Sequence, residues 1–295
     1  MNMYLADYHI HSRISPDAGT SMKDLAEHGI ALGMDELCFT DHIEPLAWGS
    51  MQLREAYDWA ALEAEYREAT EAIGDRIRLK LGMELGDANW DFAHTERLLA
   101  DAPELDFLIG SVHLLSKNFG RIDLYFFDPK NEEEARKGMR DYLEQVRAMA
   151  AWGKFSVLGH LTLPLRYLNE NRGFQLTFDG FETEIEEIFR LLLQNGCGIE
   201  LNTNRGNTPL PDEKWLRMYR EMGGEIITLG TDAHSVRHVG CAVRERQELL
   251  RICGFKRFCT FEKMRPVWHE LGCNRTFLCN SYGGMGPYID LYERL

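Results

Sequence analysis

The sequence lacks the features that would place this chain in or across a membrane. No apolar run approaches the roughly 18 residues of a spanning helix, and the first residues, Met-Asn-Met-Tyr-Leu-Ala-Asp, lack the charged and apolar segments of a signal peptide. The seven cysteines are odd in number and include no Cys-x-x-Cys pair. This usage is typical of reduced proteins, so we expect a soluble, cytoplasmic protein without a membrane partner.

Basic residues are fewer than acidic residues. The chain carries 33 Lys and Arg against 47 Asp and Glu, which gives a formal net charge of -14. Such a charge argues against nucleic acid or an anionic membrane surface as partner. An anionic small substrate remains compatible with it, because bound metal ions can invert the local charge of a site. A homo-oligomer also remains open.

Short apolar segments alternate with amphipathic helical segments along the whole chain, without a linker or a composition break. The predicted strands cover 5–11, 36–42, 77–84, 106–113, 155–160, 198–203 and 225–232, with a further strand at 257–261. Such βα repeats predict a parallel sheet covered by helices. No glycine-rich phosphate loop follows the first strand, as an open doubly wound sheet would require. We therefore predict one α/β domain, a closed barrel of about seven βα units.

Residues suited to metal binding recur where the predicted strands end. In α/β barrels the carboxyl ends of the strands form the active site, and His9 and His11, two apart on a strand, point to the same face. Nine such residues lie at these ends: His9, His11, Asp17, His42, Glu84, His113, His160, Asp232 and His234.

The remaining four histidines (His28, His94, His238 and His269) are interpreted as surface or packing residues. Without a metal, the nine strand-end residues would bury imidazoles and carboxylates together with little charge compensation. Imidazoles and carboxylates without thiolates suit Mn, Fe or Zn. Asp41 faces away from His42 and is expected to be a supporting partner.

Six short motifs in order resemble the polymerase and histidinol phosphatase (PHP) superfamily. They are Asp7-Tyr8-His9-Ile10-His11, Thr40-Asp41-His42, Gly82-Met83-Glu84, Gly110-Ser111-Val112-His113, Gly159-His160 and Gly230-Thr231-Asp232-Ala233-His234. The resemblance implies a distorted seven-stranded (β/α)7 TIM-like barrel over residues 1–271. It is strongest to the histidinol-phosphate phosphatases. The extension 272–295 is expected to pack on the barrel or on a partner subunit.

The resemblance also implies a trinuclear centre of divalent Mn, Fe or Zn. The first ion would be held by His9, His11, Glu84 and Asp232, the second by Glu84, His113 and His160, and the third by Asp17, His42 and His234. Such a centre would hydrolyse a small phosphorylated substrate, L-histidinol phosphate, with a bridging hydroxide as nucleophile. Glu84, Asp232 and His234 would be the catalytic residues, and Asp232 or His234 would protonate the leaving group.

Phosphate binding is assigned to two arginines in loops at the same rim. Arg166 follows His160, and Arg205 follows the sixth strand; a planar guanidinium suits phosphate oxygens. The alternative, two solvated loop arginines, stays open, and Arg13 and Arg237 are weaker candidates. Glu44 is expected on an acidic wall opposite the metals, where it would face the cationic end of the substrate.

Three other functions remain open from sequence. The first is a phosphoesterase that acts on another small phosphomonoester or on a nucleotide phosphodiester. The second is a non-catalytic PHP module. The intact set of nine residues argues against the module. A C–N hydrolase of the amidohydrolase type is disfavoured, because the fourth strand ends in Ser111-Val112-His113 and offers no lysine for carboxylation.

Overall fold

Seven parallel strands follow one another in chain order around a barrel. The computed structural model describes residues 3–47 and 50–272. The strands are β1 Ala6–Ile10, β2 Glu36–Ile43, β3 Arg78–Gly86, β4 Phe107–Ser111, β5 Val157–Leu158, β6 Gly198–Asn202 and β7 Ile227–Gly230. Backbone hydrogen bonds also join the two ends of the sheet, since His11 N–H donates to the Ala233 carbonyl at 2.9 Å. The predicted distorted (β/α)7 barrel is confirmed.

In the described part of the chain, seven α-helices cover the outside of the barrel. They are α1 Met22–Ala31, α2 Trp59–Ile73, α3 Phe92–Leu99, α4 Glu132–Trp152, α5 Glu182–Asn195, α6 Glu213–Glu221 and α7 Val243–Ile252. Their ends follow local chemistry: the Asn131 side chain caps the start of α4, and Gly153 ends it in the left-handed region. No helix in the described ranges is long and apolar enough to cross a membrane.

The fifth strand is the main distortion of the barrel. The sequence predicts a strand over 155–160, but β5 contains only Val157 and Leu158. The backbone turns directly afterwards, because His160 adopts a φ of 22°, outside the strand region. A Cβ at Gly159 would lie 2.8 Å from Ile109 Cγ2, so the absence of a side chain allows this turn to approach β4. The turn carries His160 to the rim of the barrel.

An antiparallel hairpin covers the amino-terminal end of the barrel. It consists of β8 Arg257–Glu262 and β9 Arg265–Glu270, of which the sequence predicts only the first strand. Phe261 N–H donates to the Tyr8 hydroxyl at 2.9 Å, and Met264 N–H donates to the Asp106 carbonyl at 2.8 Å. The hairpin therefore closes the end of the barrel opposite the candidate site.

The predicted extension 272–295 lies, from residue 273 onward, outside the described residues. The prediction that it packs on the barrel or on a partner subunit therefore stays a prediction. Five described cysteines are free thiols: Cys38, Cys197, Cys241, Cys253 and Cys259. This agrees with the reduced state expected from the sequence.

Candidate metal centre

Glu84, at the carboxyl end of β3, is the centre of the cluster. Its Oε2 lies 3.2 Å from His9 Nε2, 3.4 Å from His11 Nε2 and 3.2 Å from His42 Nδ1. Its Oε1 lies 3.1 Å from His113 Nε2 and 2.9 Å from His160 Nε2. The two oxygens of this buried carboxylate thus face two separate groups of imidazoles. A carboxylate in that position can bridge two cations.

Asp232 joins the cluster from the turn after β7. Its Oδ1 lies 3.5 Å from both His11 Nε2 and His234 Nδ1. Asp232 adopts a left-handed φ of 58°, and the residue before it is held in place because Thr231 N–H donates to Asp7 Oδ1 at 2.9 Å. This local conformation aims the carboxylate back into the barrel mouth.

Asp17 completes the set at the solvent side. Its Oδ2 lies 2.8 Å from His234 Nε2 and 3.7 Å from His42 Nε2. The structure therefore brings all nine predicted residues into one continuous cluster. Seven of them line a cavity of about 860 Å³ at the carboxyl ends of the strands, while His9 and His11 are fully buried beneath it.

The carboxylates of the cluster are ionised, whereas its imidazoles differ: burial lowers the pKa of His9, His42 and His113, but the neighbouring carboxylates raise it above the usual value. Burial raises the pKa of Glu84, but His9, His113 and His42 lower it well below its usual value. Burial also raises the pKa of Asp232, and Arg166 and His9 lower it well below the usual value. Burial and the neighbouring imidazoles His234 and His42 lower the pKa of His11. Anionic carboxylates and a neutral imidazole are the ligand forms that bind metal ions.

Buried polar atoms without hydrogen bonds converge at the same point. In the described part of the chain, His9 Nε2, His11 Nε2 and Glu84 Oε2 are buried and have no hydrogen-bond partner, an arrangement that is costly for an empty polar cluster. Each of three residue groups has donor atoms within 4.8 Å of one another: His9 with His11 and Glu84, His42 with Glu84 and His113, and His11 with His42 and His234. These donors fit divalent ions.

The two predicted phosphate ligands lie in different surroundings. Arg166 is buried, and its Nη1 lies 2.5 Å from Asp232 Oδ2, while Nε donates to Asn204 Oδ1 at 2.8 Å. Arg205 is exposed at the cavity edge, in the left-handed region at φ 56°. Both reach the cavity, but only Arg166 contacts the cluster.

The weaker arginine candidates lie elsewhere. Arg13 Nε donates to Glu65 Oε2 at 2.8 Å, on the α2 side of the barrel. Neither Arg13 nor Arg237 is among the cavity-lining residues of the described chain.

Glu44 lines the cavity, as predicted, but it lies beside the cluster and not opposite it. Its Oε1 lies 3.2 Å from His42 Nδ1 and 3.9 Å from His113 Nδ1, and the residue is buried. Glu44 is the first residue after β2, and its carboxylate lies on the same side as the His42 ring two residues earlier. Asp41 behaves as predicted: it accepts hydrogen bonds from Ser12 N–H at 2.7 Å and the Ser15 hydroxyl at 2.6 Å.

Glu200 on β6 is the residue that sequence reasoning missed. Its Oε1 lies 2.7 Å from His9 Nδ1, and its Oε2 accepts the His160 N–H at 2.8 Å. One fully buried carboxylate therefore orients candidate ligands from two strands. A Cβ at Gly230 would collide with Glu200 Oε1 and with His9 Cβ, so only glycine leaves room for this pair. The available signal is a charged residue inside an otherwise apolar strand.

Glu200→Gln is expected to lower metal affinity about 10- to 100-fold, the usual effect of removing a carboxylate that orients a histidine ligand. The measurement is metal content after dialysis against graded chelator concentrations. Glu36→Gln is the matched control, because Glu36 is also buried but binds the Tyr4 hydroxyl at 2.6 Å at the far end of the barrel. Equal metal loss in both variants would contradict a specific role for Glu200.

The fold and the site define an α/β-barrel protein with a candidate metal centre at the carboxyl ends of its strands. The profile of the PHP domain matches residues 7–204. The chain belongs to the PHP domain family, as the sequence motifs indicated.

Curated relatives are similar over almost their full lengths. A histidinol-phosphatase of Lactococcus lactis is 28% identical over 271 residues, 88% of this chain and 95% of the relative. A probable histidinol-phosphatase of Thermotoga maritima is 27% identical over 256 residues, covering 85% and 94%. The crystal structure of the Lactococcus lactis histidinol phosphate phosphatase with zinc, L-histidinol and phosphate superposes with a TM-score of 0.75 at 24% identity, over 90% of this chain and 100% of that chain. This superposition supports the fold.

Proposed function

We propose that this protein is a metal-dependent phosphomonoesterase that hydrolyses L-histidinol phosphate to L-histidinol and phosphate. The observation that carries the chemistry is the Glu84 carboxylate, whose two oxygens each face candidate imidazole ligands within 3.4 Å. Curated relatives named histidinol-phosphatase, similar over most of this chain, support the substrate. The pathway would be histidine biosynthesis.

Three divalent ions, Mn, Fe or Zn, are proposed for the nine-residue cluster in the grouping given by the family resemblance. When bound, such ions activate water as a nucleophile at neutral pH and offset the phosphate charge. The chain's own residues do the rest. Arg166 and Arg205 hold non-bridging phosphate oxygens. Asp232 or His234, which both line the cavity, donates the proton to the departing alkoxide, and Asp232, which is ionised at rest, must first accept that proton from the attacking water.

The direct test is phosphate release from a panel of small phosphomonoesters by metal-replete protein. We expect L-histidinol phosphate to have the highest kcat/KM in the panel. Chelator treatment should abolish the activity, and adding back Zn²⁺ or Mn²⁺ should restore it. A higher kcat/KM for a nucleotide phosphodiester, or activity that survives complete metal removal, would overturn the proposal.

A cytoplasmic location agrees with the free thiols and stays a prediction. The proposed partner is the small phosphorylated substrate, and a homo-oligomer remains possible. The strongly acidic composition gives no support to nucleic acid as a partner.

A further inference from the structure

Two loops place aromatic side chains in the wall of the cavity. Tyr125 and Phe126 follow β4 and are 55% and 66% exposed, although both line the cavity. Tyr167, from the π-helical turn Arg166–Asn171 after β5, packs edge-on to Tyr125 with ring centroids 5.8 Å apart. Exposed aromatic residues that meet inside a cavity are typical of a ligand-binding wall.

This aromatic pair is held in place by one arginine. Arg172 donates from Nη2 to the Tyr125 carbonyl at 2.7 Å and from Nη1 to the Tyr167 carbonyl at 3.4 Å. The two loops are therefore fixed relative to each other before a ligand arrives. Such preorganisation lowers the entropy cost of binding.

Glu170 adds an anionic group to the same wall. Its carboxylate accepts hydrogen bonds from Asn204 Nδ2 at 2.6 Å and from Asn207 Nδ2 at 3.0 Å. The two neutral amides orient the carboxylate but do not neutralise its negative charge. They also use only part of its capacity to accept hydrogen bonds. Within residues 3–47 and 50–272 Glu170 forms no ion pair, although Arg205 lines the same cavity. The wall is thus suited to an organic cation.

The spacing between the two charged positions fits one small molecule. Asn204 accepts the Arg166 Nε–H through Oδ1 and donates to Glu170 through Nδ2. A single side-chain amide therefore separates the proposed phosphate-binding guanidinium of Arg166 from the Glu170 carboxylate. A ligand with a phosphate at one end and a nearby cationic group at the other can meet both at once.

We infer that Glu170, with Tyr125 and Tyr167, binds the cationic end of the substrate, where an ammonium group and an imidazole are carried on the alcohol. The inference rests on the proposed function, and it moves the acidic recognition wall from Glu44 to Glu170. The carboxylate would accept charged N–H donors. The tyrosine rings would contact the cation or the imidazole plane.

The test compares two substrates in the metal-loaded enzyme: L-histidinol phosphate and glycerol phosphate, whose alcohol is neutral. Glu170→Gln keeps the shape and should raise the KM for L-histidinol phosphate about 10- to 100-fold, as expected for loss of a charged hydrogen bond. The kcat for that substrate, and kcat/KM for glycerol phosphate, should stay within about twofold. Tyr125→Ala, at an exposed position, should raise the same KM about 3- to 10-fold.

Glu63→Gln is the matched control, because Glu63 lies exposed on α2 and outside the cavity lining. It removes the same formal charge and should change neither substrate's kinetics. An unchanged KM for L-histidinol phosphate in Glu170→Gln, or an equal loss for both substrates, overturns the inference and leaves the proposed function standing. A wild-type enzyme that prefers glycerol phosphate overturns both.

Discussion

Glu84→Gln is expected to reduce kcat at least about 10³-fold and to lower the bound metal from close to three ions per chain to one or fewer. Glutamine keeps the size of the side chain but replaces one oxygen by an amide nitrogen, which cannot ligate a cation. Both groups of imidazoles around Glu84 lose their common anion. Two-metal hydrolysis depends on a correctly spaced pair of ions, so the metal content and kcat should fall together.

His113→Ala is the comparison variant. Of the two Glu84 oxygens, His113 contacts Oε1, at 3.1 Å, and in the proposed grouping it would ligate a single ion. It should lose about one ion and less activity than Glu84→Gln. Elemental analysis and steady-state kinetics on the same preparations decide the matter. Wild-type metal content in Glu84→Gln, or fewer than one ion per chain in the unmodified enzyme, would refute the bridging role.

Local pattern made most of the barrel predictable. The strands are short apolar runs, and helices such as α4 carry both an N-terminal cap and a C-terminal glycine, so element type and order follow from periodicity and end signals. The candidate ligands were also predictable, because barrel topology gathers strand ends at one rim. Neither argument needs tertiary contacts.

The parts that sequence could not supply depend on contacts between distant segments. The strand predicted at 155–160 is cut short because His160 takes a positive φ, and its N–H donates to Glu200 on the next strand. The second strand of the hairpin, β9, has a largely exposed face and so lacks a strong apolar pattern. Glu44 follows β2 as a loop residue, as predicted, but the side to which it points depends on its contacts with His42 and His113 from the ends of two different strands.

The supporting residue Glu200 shows the same limit within the site. Its residue type predicts an exposed position, yet it is fully buried and binds His9 Nδ1. Only in the closed barrel does β7 lie between β6 and β1, so that Glu200 can reach His9 past Gly230. Candidate ligands are therefore visible from sequence as a set, while the groups that orient them appear only when the strands are assembled.

Arg166→Ala is expected to lower kcat/KM about 10²- to 10³-fold, the range for removal of one charge-stabilising donor from a preorganised site. The structure gives this arginine a second task, because Nη1 lies 2.5 Å from Asp232 Oδ2 while Asp232 Oδ1 faces His11. Its removal should therefore also reduce metal retention under chelator. Arg166→Lys should rescue only in part, since a point charge cannot hold Asp232, Asn202 and phosphate together.

Arg205→Ala is the matched variant, because Arg205 lies exposed at the cavity edge and no ion pair of it is found in the described ranges. If Arg205 binds only phosphate, Arg205→Ala should lower kcat/KM by a similar factor but retain the full metal content. Kinetics and chelator titrations on all three variants separate the two tasks. Both arginines would contribute to phosphate binding, but only Arg166 orients Asp232. Wild-type kcat/KM in both alanine variants would mean that neither arginine binds the phosphate.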